Sequence, residues 1–371
     1  MSAGPLSSLK VVEFSGLGPV PLAGQLLADL GADVICVDRV QSDADPTDIN
    51  RRGKRSIVLN LKTPRDLGIA KRLINRSDVL IEGFRPGVME RLGLGPGACP
   101  AHIIYGRMTG WGQTGPNAPT AGHDLTYLAI TGALHAMGDP DRPPTPPLNL
   151  IADYGGGTMF LIFGILAALI ERGISGKGQV VDAAMVDGVP AMMGLIHGFL
   201  ARGEWCETRG KNWLAGGAPF YRCYACSDGK YIAVGALEPQ FYSVVIQKLG
   251  LPEHYLTTQM DQQYWAQHSA NIATIFSTKP REVWAELFEE TDACVAPVLT
   301  FAEAAEHPHI KARGTLLHHE GILQAGIAPR FSRSQAQVSK SRAAGADTAD
   351  ILAELGLNPF QGESEGMTEF D

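Results

Sequence analysis

The stretch Leu9–Arg39, LKVVEFSGLGPVPLAGQLLADLGADVICVDR, decides the fold. Leu9–Phe14 is a short apolar run of strand length. Pro21–Leu30 carries its apolar residues at helical spacing and is closed by Gly31. Asp33–Asp38 is a second strand-length run that ends in Asp38-Arg39. Strand, helix and strand in this order are a βαβ unit. Working outward, Ser56–Leu61 reads as a third strand leading into a helix with Thr63 as N-cap, Pro64 at its first position and Asp66 completing a capping-box-like start. A strand at Asp78–Glu82, a short helix near Pro86–Leu92, a strand at His102–Met108 and the turn-rich Thr109–Pro116 continue the alternation. After an apolar helix over Gly157–Arg172, the turn Ser175-Gly176-Lys177-Gly178 leads to one more inner strand, Gln179–Met185. Alternating strands and helices predict a doubly wound α/β domain.

At 371 residues the chain exceeds the usual limit for one core, so two domains are expected. The first is read over residues 1–200 and a polar, Gly-rich linker over 201–217. A smaller α+β domain follows over 218–305, and 306–371 returns to complete the large domain. In the small domain Tyr221–Cys226 and Lys230–Gly235 flank Ser227-Asp228-Gly229, a hairpin signal. Helices are predicted at Pro239–Leu249 and Pro280–Glu289, and a strand at Cys294–Leu299. Past His307-Pro308-His309 the tail carries little pattern until Thr348–Leu355.

Hydrophobic residues at 45% and charged residues at 19% are globular values, and 43 Gly with 24 Pro imply many tight turns. A formal charge of -8 argues against general nucleic-acid binding, which requires clustered Lys and Arg to neutralise phosphates. The six cysteines are scattered and no signal peptide is visible, which suits reduced thiols in the cytosol. The longest apolar run, Met159–Ile170, is shorter than the ~20 residues of a membrane span and is expected to be a buried helix. The end Thr368-Glu369-Phe370-Asp371 is neither a peroxisomal nor an endoplasmic-reticulum address, so the expected location is cytoplasmic, with no membrane partner.

Gly16-Leu17-Gly18-Pro19-Val20-Pro21 follows the first strand like a dinucleotide fingerprint, with Asp38 at the distance of a ribose-binding acid. Pro21 stands where the third glycine belongs, which counts against a nicotinamide enzyme. Arg39, Arg51, Arg52, Lys54 and Arg55 cluster just past the second strand, where a nucleotide's phosphates would lie. They read either as an anion site or as a solvated loop. Cys223-Tyr-Ala-Cys226 has no second pair, and His307, His309, His318 and His319 lack metal-ligand spacing, so the histidines read as surface or loop residues. Ser15 and Ser175 lack the glycine frame of a nucleophile elbow. His123 in Gly122-His123-Asp124, Asp153 in Ile151-Ala152-Asp153-Tyr154-Gly155, and Glu238 in Leu237-Glu238-Pro239 each sit where a loop meets a helix. The two acids fit N-caps on pattern alone. A histidine with two carboxylates is also what general acid–base chemistry uses.

The sequence resembles the class III CoA-transferase superfamily and, within it, the α-methylacyl-CoA racemases, nearly end to end. The resemblance rests on Asp29-Leu30-Gly31-Ala32-Asp33-Val34, Lys54-Arg55-Ser56-Ile57, Glu82-Gly83-Phe84-Arg85-Pro86-Gly87, Gly110-Trp111-Gly112-Gln113-Thr114-Gly115-Pro116 and Gly176-Lys177-Gly178-Gln179-Val180-Val181-Asp182. The racemase branch rests on His123, Asp153 and Glu238 in their frames. The resemblance implies a large Rossmann-like domain, a smaller α+β domain inserted in it, and an interlocked homodimer. It implies CoA contacts by Arg39, Leu59, Lys62, Gly83, Phe84, Arg85, Arg91, Gly122, His123, Asp124 and Tyr127, which would give the basic cluster its partner. It also implies proton transfer at the α-carbon of a 2-methylacyl-CoA, with His123 and Asp153 as opposed bases, Glu238 orienting and charge-balancing His123, and the Asp124 N–H stabilising the enolate. No metal or organic cofactor is needed, acyl-CoA being the substrate.

Met185, Met192 and Met193 read either as an adaptable acyl wall or as core packing. Ala215 stands where an acid is expected in close racemases. Branched fatty acyl, sterol-derived and arylpropionyl thioesters all fit. The alternatives are a CoA-transferase with Asp153 as covalent nucleophile, and a non-catalytic acyl-CoA-binding protein.

Overall fold

The computed structural model describes residues 4–14 and 16–358. Ser15 and Thr368–Asp371, both weighed above, lie outside them. In chain order come β1 (Lys10–Phe14), α1 (Pro19–Asp29), β2 (Asp33–Asp38), β3 (Arg55–Val58), α2 (Pro64–Asn75), β4 (Val79–Glu82), α3 (Val88–Arg91), β5 (Ile104–Thr109), α4 (Asp124–Ile130), a π-helix (Leu150–Thr158), α5 (Met159–Ser175), β6 (Val180–Ala184) and α6 (Met185–Met192). The six strands form one parallel sheet in the order β3-β2-β1-β4-β5-β6. Such strands are covered on both faces, which is why Val79–Glu82 is buried throughout and reads as a continuous run rather than an alternation. Val12, Phe14, Leu80 and Tyr105 from the sheet pack with Ile69, Leu73 and Ile74 of α2.

The chain then continues through α7 (Gly194–Ala201), β7 (Tyr221–Ala225), β8 (Tyr231–Gly235), α8 (Pro239–Lys248), α9 (His254–Thr257), α10 (Gln262–Phe276), α11 (Arg281–Phe288), β9 (Val295–Pro297) and α12 (Phe301–Glu306). It ends with α13 (Pro308–Arg313), β10 (Leu316–His319), β11 (Ile322–Ala325) and α14 (Thr348–Glu354). β7, β8 and β9 form an antiparallel sheet, and β10 with β11 a hairpin. Two compact units result. One takes the described residues of Met1–Leu128, Leu148–Met192 and His309–Asp371, and the other Ala129–Pro147 with Met193–Pro308. Segments 129–147 and 193–217, read from sequence as large domain and linker, therefore cluster with the second unit. That unit has its own aromatic core, with Phe220, Tyr224, Tyr242, Trp265, Phe276 and Trp284 buried together.

Several expectations need correction. The apolar helix is not buried. Only Leu161, Ile165 and Ala168 of α5 are enclosed, while Phe163, Ile170 and Ile174 are 70%, 72% and 87% exposed. It is also longer than the apolar run suggested. Joined to the π-helix it extends over Leu150–Ser175, which by length and composition alone is enough to cross a membrane. Its enclosed stripe lies on the sheet, with Leu161 and Ile165 over Gly106 of β5. Thr63 does cap α2, accepting from the Asp66 N–H at 3.2 Å, but the Asp66 carboxylate accepts from Asn60 N at 2.8 Å rather than closing a capping box.

α10 was missed because its buried face uses His268 and Ser269 beside Trp265, Ile272 and Phe276, so the helical period is interrupted by polar residues. The tail is more structured than expected. His307 ends α12, His309 lies in α13, and His318 and His319 lie on β10 rather than in a loop; none of the four is buried, and His309 and His318 are exposed, as the surface reading expects.

Candidate active site

In a parallel sheet whose strand order reverses, ligands meet the carboxyl ends of the strands where the order switches, here between β1 and β4. A cavity of about 460 Å³ lies there, lined by Leu17–Val20 after β1, Gly83–Pro86 after β4, Met108–Trp111 at the end of β5, the Ala118–His123 loop, and Tyr127, Asp153 and Met185. The loop that resembled a dinucleotide fingerprint thus faces the cavity. The glycine that lets α1 approach the sheet is Gly24 rather than position 21, since a Cβ there would stand 1.8 Å from Glu13 Oε2.

His123 is exposed at the mouth, immediately before α4. Its main chain is fixed: His123 N donates to Thr126 Oγ1 at 2.9 Å, and His123 O accepts from Thr126 N at 2.8 Å and Tyr127 N at 3.1 Å. The Tyr127 ring packs edge-on to Trp111, centroids 4.7 Å apart, and fills the space above Gly110, where any Cβ would lie 1.9 Å from Cζ. Burial and the charge of Asp153 push the Tyr127 hydroxyl up, while Arg85 opposes them.

Asp153 does not cap a helix. It lies inside the π-helix, whose N-cap is Asn149, a geometry that recurs at functional sites. Half-buried, its carboxyl is raised above the usual aspartate range, first by burial and then by Asp124; the Asn149 side-chain hydrogen bond and His123 act the other way. Asp124 is buried. Its Oδ2 accepts from Ala152 N at 2.9 Å and Asp153 N at 2.7 Å. Beneath Gly83, Glu82 accepts from Phe84 N at 2.7 Å and from Arg107 Nε at 3.0 Å, and Arg107 also reaches Glu90 at 2.8 Å. Burial pushes the Glu82 carboxyl up to about 7. Asn149, the Asp124 carboxylate and this Glu82–Arg107–Glu90 cluster were not anticipated. The one visible signal was an arginine inside an otherwise apolar strand.

Residues 6–348 match CoA-transferase family III. The chain belongs to that family. It is 42% identical to the alpha-methylacyl-CoA racemase of Mus musculus over 99% of this chain and 98% of that protein. It is 43% identical to the alpha-methylacyl-CoA racemase of Homo sapiens, over 95% and 94%. Identity to the succinyl-CoA–D-citramalate CoA-transferase of Chloroflexus aurantiacus is 31%, over 95% and 94%. Among solved structures, a CAIB/BAIF family protein from Brucella suis matches with a TM-score of 0.80 at 28% identity, covering 95% of this chain and 99% of that one.

On this family III chain the anticipated site residues separate. Gly83, Phe84, Arg85, Gly122, His123, Tyr127 and Asp153 share the cavity, and Asp124 lies buried against the π-helix. Arg39, Leu59, Lys62 and Arg91 do not line it. Arg39, Lys62 and Arg91 are exposed, whereas β3 ends at Val58 and the Leu59 side chain is part of the core. Glu238 belongs to the second unit, exposed at the N-cap position of α8 as the cap reading expects, with its carbonyl accepting from Phe241 N and Tyr242 N but its side chain making no capping bond. Of the three methionines only Met185 lines the cavity; Met192 is half exposed and Met193 falls in the second unit. Ala215 lines a separate cavity of about 1230 Å³ in the second unit.

Most of the basic cluster does not wait for an anion. Arg51 pairs with Asp38 at 2.7 Å, Arg52 with Asp29 at 2.6 Å, Lys54 with Glu13 at 2.6 Å, and Arg55 with Asp33 and Glu354, each at 2.7 Å. All six cysteines are free thiols, and no metal-binding group of His, Cys, Asp or Glu occurs among the described residues.

Proposed function

We propose that this chain is an α-methylacyl-CoA racemase, interconverting (2R)- and (2S)-2-methylacyl-CoA by proton transfer through an enolate. The observation that carries this reading is the pair of bases on one cavity: His123 at the mouth, and Asp153 with its proton affinity raised in the π-helix. The greater identity to racemases than to the transferase, at full length, supports it. A carboxylate in the ordinary aspartate range is a poor base for a carbon acid, and raising it brings it nearer the imidazole.

In one direction Asp153 removes the α-proton, the electron pair moves onto the thioester oxygen, and His123 in its imidazolium form returns a proton to the opposite face. In the other the roles exchange. The Asp124 N–H is the donor assigned to the enolate oxygen, a contribution of about 2.7 to 4 kcal/mol for such a donor. Arg85 and the Gly83-Phe84 turn are assigned to the CoA moiety. A homodimer belongs to the same reading, supported by the exposed apolar face of α5, as does a cytoplasmic location.

The test is incubation of one epimer of a 2-methylacyl-CoA in deuterium oxide without acceptor acid. Deuterium incorporation together with drift to both epimers is expected. Absence of both, with CoA appearing on an added carboxylic acid, would establish the transferase alternative with Asp153 as nucleophile. Binding without either reaction would leave an acyl-CoA-binding protein.

The pH dependence follows from the pair. The active enzyme carries one proton shared between Asp153 and His123, so both directions have the same profile. As pH falls, activity is lost when the pair takes up its second proton, because no base is then left on either face of the α-carbon. Because Asp153 is raised, the acid limb of kcat/KM is expected above the usual aspartate range for both epimers. An acid limb at or below that range would overturn the assignment of Asp153.

A further inference from the structure

We propose that the Asp124 carboxylate is a positioning residue, holding the main chain that carries Asp153 against the helix start that carries His123. The inference rests on the racemase reading and assigns the side chain a task separate from its backbone N–H. The first amides of a helix have no partner within it. Two successive ones, Ala152 N and Asp153 N at the start of the π-helix, donate to the single oxygen Asp124 Oδ2 at 2.9 and 2.7 Å across a sequence separation of 28 and 29 residues. Asp124 is only 6% exposed, and its other oxygen, Oδ1, is buried with no protein partner among the described residues. Leaving a carboxylate oxygen unsatisfied in the interior is costly. A helix cap on this π-helix could have come from Asn149 alone, yet Asn149 makes no side-chain capping bond and instead hydrogen-bonds the Asp153 side chain.

The adjoining residue is His123, whose own backbone is locked by Thr126 and Tyr127. One peptide bond therefore separates the residue clamping Asp153 from the residue bearing the other base, so the clamp fixes where the two bases stand on either side of a bound α-carbon. Its negative charge also lies close enough to Asp153 to disfavour loss of the Asp153 proton.

The experiment compares Asp124→Asn and Asp124→Ala with the parent by two readouts. One is the Asp153 carboxyl titration in the ligand-free protein by ¹³C NMR, with the Ala152 and Asp153 amide shifts. The other is racemisation kinetics. Asparagine keeps an acceptor oxygen and loses the charge, so Asp153 is expected to titrate lower and the acid limb of kcat/KM to move down with it. Alanine removes the clamp, and kcat is expected to fall about 100-fold, the effect of misplacing a reacting group by about 1 Å, with KM little changed. Asparagine should recover much of that loss. An unchanged Asp153 titration in Asp124→Asn, or equal kinetic loss in both variants, would overturn the proposal. Should the parent itself show no racemisation, the functional reading fails, while the titration and the amide shifts still decide the clamp.

Discussion

Asp153→Ala and His123→Ala are each expected to lower racemisation by about 10² to 10⁴-fold, the usual contribution of a positioned acid or base. Affinity for acyl-CoA should change little, because neither side chain holds the main chain of the cavity: the His123 contacts run through its backbone and the Asp153 amide is held by Asp124. The two losses should differ in a diagnostic way. With Asp153 gone, His123 can still take a proton from one epimer and return solvent deuterium to the same face, giving exchange without inversion. With His123 gone, the other epimer should do this. Deuterium uptake and epimer ratio, measured for each pure epimer, separate the cases. Full racemisation in either variant would refute the two-base mechanism. Loss of inversion and exchange for both epimers in one variant would point to a covalent role for that residue.

Lys54→Met is expected to destabilise the protein by about 3 to 5 kcal/mol, the cost of removing one partner from a buried ion pair. Lys54 and Glu13 side chains are 4% and 2% exposed and meet at 2.6 Å, and Lys54 Nζ also donates to Pro21 O at 2.8 Å. Burial already raises the Glu13 carboxyl and Lys54 lowers it, so the variant leaves a carboxylate facing Gly24 and Cys36 without its counter-charge. Equilibrium urea unfolding checks the loss. Adding Glu13→Leu should recover part of it, because an apolar pair of similar volume can replace a buried salt bridge at little cost. The contrary outcome is a Lys54→Met protein of parental stability and weakened acyl-CoA binding. That would return Lys54 to the ligand site that its place in the basic cluster suggested.

How far the site could be read in advance is best seen at Lys54 and Asp153. Charge density along the chain showed that cations accumulate past the second strand. It did not show that Glu13, Asp29, Asp33 and Asp38, up to 41 residues earlier, would lie beside them. The parallel register of β1, β2 and β3 brings Glu13, Asp33 and Asp38 across and the end of α1 supplies Asp29, so most of a cluster that read either as an anion site or as a solvated loop neutralises itself inside the fold. Asp153 was found by its frame, yet its place within a π-helix, its neighbour Asp124 and its raised proton affinity depend on loops 28 residues apart meeting at the end of the sheet.

The sequence by itself determined the strand–helix alternation, the hairpin in the second unit and membership of CoA-transferase family III. These rest on short-range periods, turn residues and local motifs, all of which act within a few residues of chain. Only the tertiary structure decided which charges face each other, that α5 buries one stripe and exposes another, that segments 129–147 and 193–217 join the second unit, and that Asp124 binds the amides behind Asp153. Each of these is a long-range contact. Its energy depends on distance and burial in three dimensions, and a linear spacing carries neither.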